Sequence, residues 1–106
     1  MNRTNEQINK NYLTELKDKC FVACTEDENS VLILAKNYGE ALIKLLEYNG
    51  IDAFELSTFT IAINAMTNLS DMVILYNRFI LDEDYELKFI AEISDLHLVD
   101  DYVFVK

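Results

Sequence analysis

The sequence predicts a single α+β domain, residues 1–106, in which about three helices pack on one face of a mostly antiparallel β-sheet. Three observations predict it. N-cap signals followed by apolar residues at helical spacing recur along the chain. Apolar and polar residues alternate through Tyr85 to Ile93 as in a half-buried strand. No Pro-, Gly- or Ser-rich stretch marks a linker, and 106 residues at 51% hydrophobic content are enough for one core that buries about two-thirds of the unfolded surface.

Thr4 with Gln7 has capping-box spacing, and Ile8, Tyr12, Leu13, Leu16 and Cys20 follow at helical intervals, which predicts a first helix over 5–19. Phe21 to Cys24 and Val31 to Leu34 flank the polar stretch Thr25 to Ser30, the pattern of a β-hairpin, with a helix starting at Ser30 as the competing arrangement. Asn37 with Glu40, the stripe Ala41, Leu42, Leu45 and Leu46, and Asn49-Gly50 predict a helix over 38–49. Residues 53–64 are β-branched and aromatic. Phe54 and Leu56 lie on one parity and Phe59, Ile61 and Ile63 on the other, which suggests a bulged strand, with a helix as the alternative.

Asn68 with Asp71 caps a third predicted helix carrying Leu69, Met72, Val73, Tyr76, Phe79 and Ile80, and Asp82-Glu83-Asp84 stops it. Tyr85, Leu87, Phe89, Ala91 and Ile93 then form the expected inward face of a strand, so Leu87→Ala or Phe89→Ala is expected to cost ~2 to 5 kcal/mol. Leu96 to Val99 and Tyr102 to Val105, separated by Asp100-Asp101, read as further strand in a tight hairpin.

The chain carries 19 acids against 9 bases, a net charge of −10. The imbalance is regional, with 8 acids and 6 bases in residues 1–50 against 11 and 3 in residues 51–106. Direct binding to nucleic acid or to anionic membranes is disfavoured, since affinity for phosphate comes from clustered Lys and Arg. The start lacks an apolar targeting core and no apolar run approaches a membrane span, which predicts a cytoplasmic protein. Cys20 and Cys24 share a parity, so both are expected on the inward side of the first strand, reduced, and ~13 Å apart, beyond disulfide reach. Abundant Asn and Ile with few Gly and no Pro resemble translation of an AT-rich genome.

Most catalytic chemistries lack their parts. Gly39 and Gly50 are too few and too far apart for a phosphate-cradling loop. His97, the single histidine, stands without a nucleophile motif, and a thiolate pairing with Cys20 or Cys24 is disfavoured in so electronegative a chain. Cys20 and Cys24 have no second pair to complete a zinc site. Asp82, Asp84 and Glu86 imitate the first ligand positions of an EF-hand, but Leu87 replaces its glycine and Ile93 its twelfth-position glutamate. No cofactor, metal or enzymatic activity is expected.

What remains is the acidity of Asp82 to Asp101, where eight carboxylates meet one base, Lys88. Tyr85, Leu87, Phe89, Ile90 and Ile93 are interleaved with them, so the charge is displayed on a fold. Asp82, Glu83, Asp84, Glu86, Glu92, Asp95, Asp100 and Asp101 are the candidate partner-binding residues, with the turn Glu26-Asp27-Glu28 as a further acidic element. Carboxylates ~6 to 7 Å apart on alternate strand positions, or in turns at strand ends, approximate the phosphate spacing of a nucleic acid. The plain alternative, solubilising turn residues, would intersperse acids with bases as residues 1–50 do. Met66 to Asp71 resembles the opening of the phage uracil-DNA glycosylase inhibitors, over six residues that mostly spell an N-cap, and nothing is carried over from it. The expected function is a small inhibitor that occupies the basic nucleic-acid-binding groove of a partner protein, as phage anti-restriction and anti-CRISPR proteins do. An immunity protein or antitoxin against a basic nuclease, and a small enzyme of unrecognised type, are the alternatives.

Overall fold

The computed structural model describes residues 18–93 and 103–105. Two strands, β1 (Lys19–Thr25) and β2 (Ser30–Ala35), form the antiparallel hairpin expected from the two apolar runs. Asp18 is non-helical and Lys19 opens a strand, so the helix expected over 5–19 does not extend to its predicted end; residues 5–17 lie outside the described residues.

Helix α1 (Tyr38–Tyr48) follows, and its caps are those read from the sequence. Asn37 Oδ1 accepts from Glu40 N at 2.9 Å, while the Glu40 carboxylate reaches back to Lys36 N at 3.0 Å. Gly50, at φ 85°, supplies the left-handed residue that ends the helix after Asn49. Ala41, Leu42, Leu45 and Leu46 are buried.

Residues 53–64 are not a bulged strand. They form helix α2 (Ala53–Asn64), capped by Asp52, whose carboxylate accepts from Glu55 N at 2.8 Å. Thr58 and Thr60 turn their hydroxyls onto the carbonyls of Phe54 and Leu56, at 3.1 and 2.8 Å, which accommodates β-branched polar residues in a helix. Apolar residues lie on both sides of it. Phe59 and Ile63 are buried, whereas Phe54 is 82% and Ile61 73% exposed, so no clean 3.6-residue stripe is visible in the sequence.

Helix α3 (Leu69–Phe79) begins at the predicted cap, with Asn68 Oδ1 accepting from Asp71 N at 3.1 Å. A single 3₁₀ turn over Glu83–Tyr85 leads into β3 (Leu87–Ile93), and β4 (Val103–Val105) pairs parallel with β2. The sheet order is β3-β1-β2-β4, with β1 antiparallel to both neighbours. β4 falls within the strand expected over Tyr102 to Val105, and the hairpin expected with Leu96 to Val99 lies outside the described residues.

The three helices form one layer against one face of this mostly antiparallel sheet. Phe21, Ala23, Val31, Ile33 and Ala35 from the sheet meet Leu42, Leu45, Leu46, Phe59, Ile63 and Tyr76 from the helices in one core cluster. Tyr76, fully buried, stacks edge-on to Phe59 at 6.1 Å and accepts a 2.8 Å bond from Asn49 Nδ2. Its burial holds the phenol well above the usual tyrosine range. Asn77 grips the start of β3 with both ends of its amide, Oδ1 accepting from Leu87 N at 2.8 Å and Nδ2 donating to Leu87 O at 3.2 Å.

A bulge between Cys24 and Thr25 in the β1–β3 register changes which residues of β3 face inward. Leu87, opposite Thr25, and Ile90, opposite Ala23, are buried in the core. Phe89, Ala91 and Ile93, opposite Cys24, Val22 and Cys20, share the other face with Leu32 and Leu34, and Phe89 is 49% exposed. The expectation that all odd positions from Tyr85 to Ile93 face the core therefore holds only for Leu87. Cys20 and Cys24 do share a face, as unpaired thiols, but it is the face away from the helices. Burial raises the Cys20 pKa, which keeps that thiol protonated and slow to react at neutral pH.

Leu87→Ala should cost ~2 to 5 kcal/mol in a urea titration, whereas Phe89→Ala should cost well under half as much because half of Phe89 stays in solvent. Asn77→Ala should cost ~1 to 3 kcal/mol, because both polar groups of the Leu87 backbone lose their partner.

Candidate partner-binding surface

Two acidic turns far apart in sequence are joined by backbone hydrogen bonds. Glu26 N donates to Glu86 O at 2.9 Å, and Asp27 N donates to Asp84 O at 3.0 Å. The β1–β2 turn therefore sits directly beside the 3₁₀ turn that precedes β3. Glu26, Asp27, Glu28, Asp82, Glu83, Asp84 and Glu86 gather at one end of the sheet. Asp82 fixes its own turn, with Oδ1 accepting from Asp84 N at 2.9 Å. One base approaches this acidic pole among the described residues, Lys88 at 3.8 Å from Glu28, and both side chains are largely in water, where such a pair contributes little.

The β1–β2 turn is built around Asp27. The Thr25 hydroxyl donates to its carboxylate, and Asn29 adds bonds from Nδ2 at 2.7 Å and from its backbone N at 3.3 Å. The Thr25 hydroxyl foremost, then the Asn29 donors, hold the Asp27 pKa below its ordinary 3.8. Glu28 takes a left-handed backbone, φ 66°, where glycine or asparagine is the low-cost residue. A glutamate there spends backbone free energy to keep a carboxylate at the tip of the turn.

Tyr85, 48% exposed, stands between two grooves at this pole. Asp52, Glu55, Leu81 and Asp82 line one; Thr25, Asp27, Glu28 and Tyr48 line the other; Asn49 contributes to both. Leu81 and Tyr48 are 98% and 56% exposed.

Of the residues singled out in the sequence, Asp82, Glu83 and Asp84 lie exposed on the pole and Glu86 is half-buried beside them. Glu92 does not join them. It sits six residues further along β3, ~20 Å away, at the opposite end of the sheet. There its carboxylate is 3.7 Å from Lys19 and its backbone N donates to Tyr38 Oη at 3.0 Å. Asp95, Asp100 and Asp101 lie outside the described residues. The regular ladder of carboxylates along one strand is thus replaced by a cluster of turns. Asp52 and Glu55 join the pole from outside the sequence candidates; their signal is the Asp-x-x-Glu cap preceding an apolar run, which the β-branched composition of 53–64 obscures. Asp82, Asp84 and Glu86 do not converge as ligands, and no three Asp, Glu, Cys or His side chains among the described residues are grouped to hold a metal ion. Among the same residues no helix is long and apolar enough to cross a membrane.

The chain matches no family model, and neither the curated proteins nor the solved structures contain a match to it.

Thr25→Val should raise the Asp27 pKa back toward 3.8, as followed by carboxyl chemical shifts. The sign for stability follows from the depressed value. The ionised Asp27 stabilises the fold above pH ~4, and that contribution disappears as the pH falls through the folded-state pKa, so the acid limb of the stability curve should flatten in the variant. Glu28→Gly should stabilise by up to ~1 kcal/mol in the same urea titration, because it removes the left-handed strain.

Proposed function

We propose that this chain is a small cytoplasmic binding protein, not an enzyme, whose acidic pole occupies the basic nucleic-acid-binding groove of another protein and so inhibits it. The observation that carries this reading is the pair of backbone bonds joining Glu26 and Asp27 to Glu86 and Asp84, which concentrates the acids of two turns on one rigid edge. Seven carboxylates with one exposed basic neighbour among the described residues repel one another, and a partner rich in Lys and Arg would relieve that repulsion on binding. The same negative field argues against direct contact with nucleic acid.

Exposed Tyr48, Tyr85 and Leu81 beside the carboxylates favour a second reading, a single cognate partner such as a nuclease toxin. Aromatic and aliphatic anchors of this kind supply tight, salt-resistant contact that a mimic of phosphate charge does not need. The two readings separate experimentally. A groove inhibitor is displaced by competing DNA or RNA and is weakened mainly by charge neutralisation, whereas a cognate neutraliser loses most of its affinity on Tyr85→Ala.

The deciding variant replaces Glu26, Glu28, Glu83 and Glu86 by Gln and Asp82 and Asp84 by Asn, which keeps the Asp82 capping oxygen. The fold should survive, with stability changed by only about ±0.5 kcal/mol per site. Capture of a basic partner from host lysate, with and without nuclease treatment, should fail with this variant. For the purified pair, affinity should fall on the order of 100-fold or more, and the wild-type complex should weaken steeply as salt shortens the Debye length below ~8 Å. A folded variant that binds with wild-type affinity and salt dependence refutes the proposal.

A further inference from the structure

The two grooves that flank Tyr85 share one construction, an apolar floor beneath exposed carboxylates. In the first, of about 370 Å³, Leu46, Ile51, Phe79 and Ile80 are buried or half-buried. Asp52, Glu55 and Asp82 stand exposed around them. In the second, of about 470 Å³, Val31 and Leu45 lie buried beneath exposed Asp27 and Glu28. Tyr85 walls both grooves and Tyr48 walls the second, each about half in solvent. Among the described residues no Lys, Arg or His lines either groove. We propose, resting on the reading of the acidic pole as the partner-binding surface, that each groove receives one arginine side chain of the partner protein and that the two arginines straddle Tyr85.

The chemistry of the grooves selects this occupant. An apolar floor under an anionic rim fits a ligand that is apolar along its length and cationic at its tip, which is how Lys and Arg side chains are built. The tyrosines favour arginine. A guanidinium plane stacks on an aromatic face and grips a carboxylate through two parallel hydrogen bonds, whereas an ammonium is a compact, strongly hydrated point charge. A divalent cation is disfavoured by the floor, because it takes oxygen ligands and retains waters. The rim disfavours a nucleotide by its charge and an apolar helix by the cost of burying unpaired carboxylates.

The acceptors are held in place by the fold itself. Asp52 Oδ1 caps α2 on Glu55 N at 2.8 Å and Asp82 Oδ1 caps the 3₁₀ turn on Asp84 N at 2.9 Å, so each carboxylate keeps a second oxygen for a guanidinium. Asn49 lines both grooves, and its Nδ2 is engaged with Tyr76 Oη at 2.8 Å, which leaves its amide oxygen to accept. Acceptors fixed beforehand lower the ordering cost of binding. The grooves also divide the acids of the pole. Asp27, Glu28, Asp52, Glu55 and Asp82 line a groove, whereas Glu26, Glu83 and Glu86 line neither. Diffuse attraction would treat the two sets alike, and seating of arginine in the grooves depends on the first set.

The test titrates the isotope-labelled full chain with two peptides of equal charge, acetyl-Arg-Gly-Gly-Arg-amide and acetyl-Lys-Gly-Gly-Lys-amide, and follows the backbone amide shifts. The arginine peptide should bind about threefold tighter or better than the lysine peptide, with shifts centred on Tyr48, Gly50, Ile51 and Tyr85. Glu28→Gln with Glu55→Gln should weaken the arginine peptide about tenfold or more. Glu26→Gln with Glu83→Gln removes the same charge outside the grooves and should weaken it less than about threefold. Tyr85→Ala should abolish the preference for arginine. All these changes are at the surface, and the amide spectrum reports the fold of each variant. Equal affinity for the two peptides, or equal losses in the two charge variants, overturns the seating of arginine in the grooves and leaves the pole as a diffuse acidic surface. An arginine peptide that does not bind overturns it too. The pole itself is judged separately, by capture of the basic partner with the wild type and with the neutralised variant described above.

Discussion

The fold depends on the dipeptide Tyr76-Asn77 in the last turns of α3. Tyr76 is fully buried, packs edge-on against Phe59 of α2 and is tied to Asn49 at the C-cap of α1, so one side chain links three helices. The next residue, Asn77, faces the sheet and closes two hydrogen bonds on the Leu87 backbone, which fixes where β3 begins. The acidic 3₁₀ turn occupies the few residues between these two anchors, the end of α3 and Leu87. Its position against the β1–β2 turn is therefore a consequence of core packing, and the carboxylates themselves need contribute nothing to it.

That separation explains how the molecule tolerates its charge. Two carboxylates ~6 Å apart in water repel by ~0.7 kcal/mol before salt screening, and several such pairs share the pole. The cost is met by a backbone framework whose bonds, Glu26 N to Glu86 O and Asp27 N to Asp84 O, are independent of side-chain ionisation. Two of these acids are absorbed into the structure: Asp82 caps the 3₁₀ turn, and Asp27 is held by Thr25 and Asn29, which keep its pKa below the ordinary value. Glu28 stands in a backbone conformation that a glycine would hold at less cost. The proposed partner-binding role would account for an acidic surface held against both repulsion and the left-handed backbone of Glu28.

How much of this was legible in the sequence depended on the kind of signal. Asn37, Asn68 and Gly50 announced α1 and α3 because capping is local chemistry, satisfied within four residues. The hairpin was legible because two apolar runs flank one polar turn. Helix α2 was obscured: its core-facing Phe59 and Ile63 are diluted by exposed Phe54 and Ile61, and β-branched composition outweighed the Asp52 cap. The acidic site was half legible. Asp82 to Glu86 could be singled out by composition, but their neighbours Glu26 to Glu28 come from a turn some sixty residues earlier, and Glu92 was grouped with them by sequence proximity that a straight strand turns into distance. Only the sheet order, β3 beside β1, brings the right acids together.

The bulge opposite Cys24 and Thr25 connects these features. Without it, Leu87 would fall on the same face as Phe89, Ala91 and Ile93, and the helix layer would lose a core residue where Asn77 holds the strand. With it, β3 serves the helix core through Leu87 and Ile90 and the second face through Phe89, Ala91 and Ile93. The uninterrupted apolar runs Phe21 to Cys24 and Val31 to Ala35 belong to the same design. They are the composition of central strands apolar on both faces, whereas the Lys and Glu of β3 suit an edge. A sheet so constructed presents an apolar face on each side, and the three described helices cover one of them. The acidic turns fall at one end of the strands, outside both layers, where charge interferes least with either apolar face.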